Sequence, residues 1–408
     1  MANKPNTCSS QVTKYVGSKL TRHDFGEDFI FGGATSAYQV KLLTGAMVPL
    51  RLTTLINSRL SGGVNREGVE FYNDLIDLLL SAGIEPYATI FHFDVPNCLE
   101  EEYGGFLSPK IVQDFAEYAD VCFFEFGDRV RFWITENEPW TFTHNGYIVG
   151  GFPPGHGTPS CQPKEADALR HRCVRGVDTT CHGGDAGTEP YIVAHHLLLA
   201  HAEAVDIYRK NYQAVQKGKI GITNMTTWYE PYSRSREDAL TAASRAVDFM
   251  WGWFMAPIVT GDYPLVMRER VKERLPKFTA EQSKLLKGSY DFIGMNYYTT
   301  NWAAYKPTAP GTPPTYFTDQ ETQFLTERPN GEKIGEQAGS SWLFIVPWGI
   351  HKLLVHTKNT YNDPIIYITE NGVNEKNDKT LSITQARKDE YRIKFFQDHF
   401  AYMKQAME

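Results

Sequence analysis

The sequence predicts an α/β fold, and within that class a (β/α)8 TIM barrel. Two observations predict it. Short apolar runs alternate with long amphipathic segments through most of the 408 residues, the pattern of a parallel sheet covered by helices. The apolar runs are continuous, as buried parallel strands require, and they carry polar or ring groups at their C-terminal ends, where a barrel gathers its site.

The elements follow in order. Phe29–Thr35 (FIFGGAT) is the first candidate strand, an apolar run closing on small residues. Glu67–Ala82 repeats its apolar positions at helical spacing. Pro86–His92 (PYATIFH) is the next strand and ends on a histidine. Pro109–Phe126 is a helix, and Phe132–Asn137 (FWITEN) a strand that runs into Glu138. Pro190–Tyr212 is a long helix, Lys219–Asn224 (KIGITN) a strand, Glu237–Ala256 a helix, and Phe292–Asn296 (FIGMN) a strand. Ile350–Thr360 is the last of these helices, and Ile365–Glu370 (IIYITE) the last strand. That makes six strands where a barrel has eight, so an open doubly wound sheet stays an alternative. No G-x-G-x-x-G follows the first strand, however, and there is no P-loop.

A net charge of −7 with scattered Lys and Arg argues against a nucleic-acid-binding face. The N-terminus is polar, without the apolar core of a signal peptide, and no apolar run is long enough to span a bilayer. The expectation is a soluble, cytoplasmic protein that does not act on membranes, with residues 1–23 as a flexible tail and 24–408 as one domain. The sequon at Asn224 then carries little weight. Aromatic content of 13% suits a cleft for a flat ligand, although most aromatics serve cores. Six cysteines are dispersed without a CxxC pair, so no metal or other cofactor is expected. Cys173 and Cys181 flank a short polar loop. In the cytosol, the residues alone favour free thiols there.

Two stretches carry the chemistry: "RFWITENEPWTF" from Arg131 and "PIIYITENGVNE" from Pro364. Both run an apolar strand into Thr-Glu-Asn. Two carboxylates facing each other across a glycosidic bond divide its hydrolysis, one protonating the leaving oxygen while the other attacks the anomeric carbon. Strand-end glutamates far apart in sequence, as Glu138 and Glu370 are, meet that requirement in a barrel. On their own they are a weak signal, because most glutamates are solvated surface.

T-x-N-E-P followed by I-T-E-N-G resembles the two signatures of glycoside hydrolase family 1, the family of the plant β-glucosidases. "DFIFGGATSAYQ", "FHFDVPNCLEEEYGGF", "GTEPYIVAHHLLLAHAEAV", "GWFMAPIVTGDYP" and "GSYDFIGMNYYT" resemble further blocks of the family. The resemblance covers residues 24–40 and 60–408. It implies a retaining β-glucosidase, with Glu138 as acid/base and Glu370 as nucleophile. It implies that Gln39, His92 and Asn137 bind the sugar, and that Asn296 and Tyr298 flank the nucleophile. Taken singly, His92 and Tyr298 could equally be core residues. "RLSGGVNREG", "HRCVRGV", "ARKDEYR" and Trp342 resemble the monoterpene indole alkaloid glucosidases, of the raucaffricine and strictosidine type. That resemblance implies an alkaloid glucoside as substrate, with Trp342 against the aglycone. The resemblance to the plant family members implies a disulfide between Cys173 and Cys181, closing a short loop before "GTEPY".

The departures from the family pattern shape a second set of expectations. After "SAYQV" the chain runs into "KLLTGAMVPLRLTTLINSRLSGGVN", where the family's second strand is not recognisable. The stretch reads like a splice or gene-model junction, and Arg51 is only a weak substitute for the family's strand-two arginine. No W-S-x-x-D-N-x-E-W segment marks an eighth strand. The expectation is an incomplete barrel and a truncated isoform with open sheet edges. An impaired isoform of this kind would associate with a full-length paralogue or with itself. Glu136 stands where the family is apolar. Two residues from Glu138, it either shares a face with the acid and raises its pKa or misfolds the strand end, or turns outward at some cost in stability. The outward orientation is the expected one.

Overall fold

In a computed structural model of the chain, residue 15, residue 17 and residues 19–34, 47–49, 63–157 and 183–408 are described. The expectations for residues 1–14, Gln39, Arg51 and the Cys173–Cys181 pair lie outside the described residues.

The strands are β1 (Met47–Pro49), β2 (Tyr87–Phe91), β3 (Phe132–Asn137), β4 (Lys219–Pro231), β5 (Phe292–Tyr305), β6 (Thr322–Leu325), β7 (Glu336–Gln337), β8 (Phe344–Ile345) and β9 (Ile366–Glu370). β1, β2, β3, β4, β5 and β9 pair in that order, each parallel to the next. The helices that matter below are α1 (Arg66–Ser81), α2 (Lys110–Phe126), α3 (Pro139–Tyr147), α4 (Glu189–Ile207), α5 (Glu237–Val247), α6 (Pro347–Thr360) and α7 (Glu390–Met407). Strand, helix, strand is the repeating order, so the open-sheet alternative gives way to a curled barrel sheet.

The curl is visible in the interior. Tyr87 on β2, Ile134 on β3 and Phe292 on β5 form one buried cluster, with Phe132 and Tyr367 packed on it. Tyr87 stacks on Phe132 at 4.1 Å, and Tyr367 of β9 meets Tyr87 edge-on at 5.9 Å. β2 and β9 are not sheet neighbours, so their rings meet only because the sheet bends round and closes on its own side chains. Each such ring pair adds about 0.5–1.5 kcal/mol beyond its buried area. On the outer side, α4 is buried along most of its length, including Val193, Leu197, Ala200 and Ala204. This explains its nearly all-round apolar sequence.

Two expectations about strands are corrected. The first concerns residues 29–33, which form no strand; Ile30 is 60% exposed. Phe25, Phe29 and Phe31 instead cluster with one another, and Phe25 and Phe31 also meet Phe400 on α7. The apolar character of this run serves an aromatic cluster rather than a sheet. The second concerns the missing second strand: Met47–Pro49 lies parallel beside β2, in the register Met47↔Tyr87 to Pro49↔Thr89. Three residues ending on a proline, which cannot donate to a ladder, are a poor strand signal. Among the described residues β9 pairs with β5 alone, and no eighth barrel strand is present.

β4 and β5 outrun their predicted ends, to Pro231 and Tyr305, and stay paired through Pro231↔Ala303. The extra residues, rich in Thr, Trp and Tyr, have the side chains strands favour.

Candidate active site

The site lies where β2, β3 and β9 end, beside Asn296 and Tyr298 within β5. β3 reaches it through an irregularity: Ile134 pairs with Gly221 and Asn137 with Thr223, so β3 spends one more residue than β4 over this stretch. Such a bulge re-aims the side chains beyond it. Glu138 then takes a left-handed backbone, φ 47°, and its N–H bonds the Thr223 carbonyl at 2.8 Å. Pro139 follows as the first residue of α3; it needs no N–H there, and it disfavours the right-handed helical region for the residue before it. The left-handed conformation costs about 1–2 kcal/mol for a residue with a Cβ. Phe93, directly after His92, is also left-handed, at φ 73°. Strained residues therefore stand at two strand ends that face the site, as strain at functional sites commonly does.

The structure brings six of the predicted residues together. Asn137 Nδ2 lies 3.2 Å from His92 Nε2. Asn296 Nδ2 donates to Asn137 Oδ1 at 3.2 Å and to Glu138 Oε1 at 2.7 Å. The Tyr298 hydroxyl donates to Glu370 Oε2 at 2.5 Å, and Asn296 is paired with Glu370 across β5 and β9. Trp342 stands at the rim, 52% exposed and edge-on to Tyr298 at 6.0 Å. Sequence reasoning missed Thr369, whose hydroxyl donates to Asn296 Oδ1 at 2.6 Å. Its place just before Glu370 was the available signal.

The two carboxyls differ in their surroundings. Burial, and secondly the Glu370 charge, push the Glu138 carboxyl up to about 7; the Asn296 bond works against this. Burial also raises Glu370, but the Tyr298 hydroxyl and then the Asn296 amide oppose the rise. Burial, followed by the charge of Glu370, keeps Tyr298 protonated. Burial lowers His92 to about 4, so its ring is neutral. One carboxyl therefore holds a proton near neutrality while the other has a hydrogen-bond donor fixed on it, the split that acid and nucleophile roles require.

Glu136 is corrected. It neither turns outward nor acts on Glu138. It is wholly buried, and neither of its oxygens has a hydrogen-bond partner. Burial alone raises its pKa, and it is not among the groups that shift Glu138. At a position enclosed by packed barrel there is no solvent to turn to.

Buried, unequal carboxyls at the C-terminal ends of barrel strands define a glycosidase-type site. The sequence profile of "Glycosyl hydrolase family 1" matches residues 57–408. Oleuropein β-glucosidase from Olea europaea is 46% identical over 98% of this chain and 82% of its own length. Raucaffricine-O-β-D-glucosidase from Rauvolfia serpentina is 52% identical over 86% of this chain and 66% of its own. The crystal structure of the rice β-glucosidase Os3BGlu6 superposes with a TM-score of 0.81 at 42% identity, covering 89% of this chain and 72% of that one. The chain belongs to glycosyl hydrolase family 1, and within it to the β-glucosidases. Identity does not single out the alkaloid enzymes, because β-glucosidase 12 of Oryza sativa subsp. indica is also 52% identical.

Proposed function

We propose that the chain is a retaining β-glucosidase of plant β-D-glucosides, with Glu138 as acid/base and Glu370 as nucleophile. The observation that carries this reading is Asn296: its amide donates to Glu138 Oε1 at 2.7 Å, and its backbone is paired with that of Glu370 across β5 and β9. A carboxyl held by Asn296 and one at the strand position paired with Asn296 stand close, as the retaining mechanism needs. Glu138 gives its proton to the glycosidic oxygen as Glu370 attacks the anomeric carbon. The aglycone leaves as an alcohol, and a glucosyl ester remains on Glu370. Glu138, now ionised, takes a proton from water, which attacks the anomeric carbon and releases glucose and Glu370. His92 and Asn137 hold sugar hydroxyls. A mutant of the rice enzyme forms a covalent complex with glucose, in line with this chemistry.

Trp342, half exposed beside Tyr298, offers a flat face to an aromatic aglycone. An alkaloid glucoside of the kind raucaffricine glucosidase is named for fits that face. Cleavage of a fluorogenic β-glucoside tests the reading, with kcat/KM measured against pH. A bell with its basic limb near 7, from Glu138, and loss of turnover in Glu370→Gln are expected. No turnover by folded protein would refute it. Trp342→Ala should raise KM for glucosides of aromatic alcohols but not of short alkyl alcohols.

A further inference from the structure

The hydrogen bonds of the site run in one direction. An amide nitrogen can only donate, so Asn137 Nδ2 at 3.2 Å from His92 Nε2 makes that ring nitrogen the acceptor. Asn137 therefore presents its oxygen to Asn296, whose Nδ2 meets it at 3.2 Å and Glu138 Oε1 at 2.7 Å. Asn296 turned end for end would set its oxygen against Asn137 Oδ1 and against Glu138 Oε1. In the arrangement seen, its oxygen faces away from them and accepts from Thr369 at 2.6 Å. Asn296 is wholly buried, so an oxygen left without that donor would be costly.

β9 is shaped for this contact. Met295 pairs with Ile368 and Asn296 with Glu370, so Thr369 is an extra residue in the ladder. A bulged residue escapes the strict alternation of a strand. Thr369 and Glu370, adjacent in sequence, both reach the site: Thr369 touches Asn296, and Glu370 touches Tyr298.

We propose that Thr369 is a positioning residue: its hydroxyl locks the Asn296 amide with the nitrogen toward Glu138, and so fixes the donor that Glu138 receives. The proposal rests on the roles given to Glu138 and Glu370 above. Without the lock, Glu138 loses a donor that favours its charged form and should hold its proton to higher pH.

The test compares wild type, Thr369→Val and Thr369→Ser, each labelled with 13C at the glutamate carboxyls and titrated by NMR, with the Glu138 signal assigned by its loss in Glu138→Gln. Thr369→Ala replaces Val if the Val variant does not fold. The Glu138 midpoint is expected to rise by about one unit without the hydroxyl, the scale of one hydrogen bond to a charged group, and to return with Ser. In kinetics the basic limb of the kcat/KM profile should move up, with kcat changing more than KM. A Glu138 midpoint unmoved in the hydroxyl-free variant, or unrestored by Ser, overturns the proposal. Full turnover by Glu138→Gln and Glu370→Gln would instead overturn the roles of the carboxyls, while the titration still reports on Thr369.

Discussion

Tyr298 donates its hydroxyl hydrogen to Glu370 Oε2 at 2.5 Å, and of the groups that oppose the effect of burial on Glu370 it is the largest. The tyrosine keeps its proton because burial and the neighbouring carboxylate both penalise the phenolate. The bond therefore persists through the working pH range and favours the ionised nucleophile.

Removing that hydroxyl has a signed consequence. In Tyr298→Phe, Glu370 loses a donor that lowered its pKa, so its ionisation moves to higher pH. The acid limb of kcat/KM shifts upward, and kcat falls by about 10- to 100-fold, the range of one hydrogen bond to a charged group. A pH–rate series on the variant checks both.

Glu136 is expected to weaken the fold at neutral pH. Its folded pKa is raised by burial, so the folded state holds a proton that the unfolded chain releases above about 4.3. By linkage, stability falls as pH rises through that region. Glu136→Leu should stabilise the protein at pH 7.5 by about 1–3 kcal/mol, the usual cost of a buried polar group without a partner, with a smaller gain at pH 5. Urea unfolding of both proteins at the two pH values measures it.

His201 ties α4 to two strands. Its Nδ1 lies 2.7 Å from Thr135 Oγ1 on β3, and its Nε2 lies 3.1 Å from Ser289 Oγ, just before β5. Burial holds the ring pKa down to about 3. The unfolded chain therefore gains a proton below about 6.5 that the folded one refuses, and stability declines as pH falls from there. His201→Phe should lower stability at pH 7.5 by about 1–3 kcal/mol and flatten the decline toward pH 5. Denaturation midpoints against pH decide it.

Most of the sheet was legible because buried parallel strands announce themselves as unbroken apolar runs; Phe132–Asn137 and Ile365–Glu370 are examples. Met47–Pro49 was not, being short and closed by proline, and Phe29–Thr35 misled because an aromatic cluster on α7 looks like a strand in one dimension. Glu138, Glu370 and His92 could be located because each stands at or just beyond a strand end; Asn296 and Tyr298 lie inside β5, which runs on past its expected end to Tyr305. Thr369 and Glu136 could not. Their orientations depend on bulges, which shift the alternation by a residue and leave no periodic trace in the sequence.

The central claim is that Glu370 carries the sugar covalently while Glu138 moves the proton. Intact-protein and peptide mass spectrometry of Glu138→Gln, incubated with an aryl β-glucoside bearing a good leaving group, tests it most directly. With the acid/base gone, a good leaving group still departs but water is no longer activated, so the intermediate accumulates. The account predicts one added glucosyl residue on the peptide containing Glu370. Aryl alcohol release with no label on Glu370, or a label on another carboxyl, would contradict it.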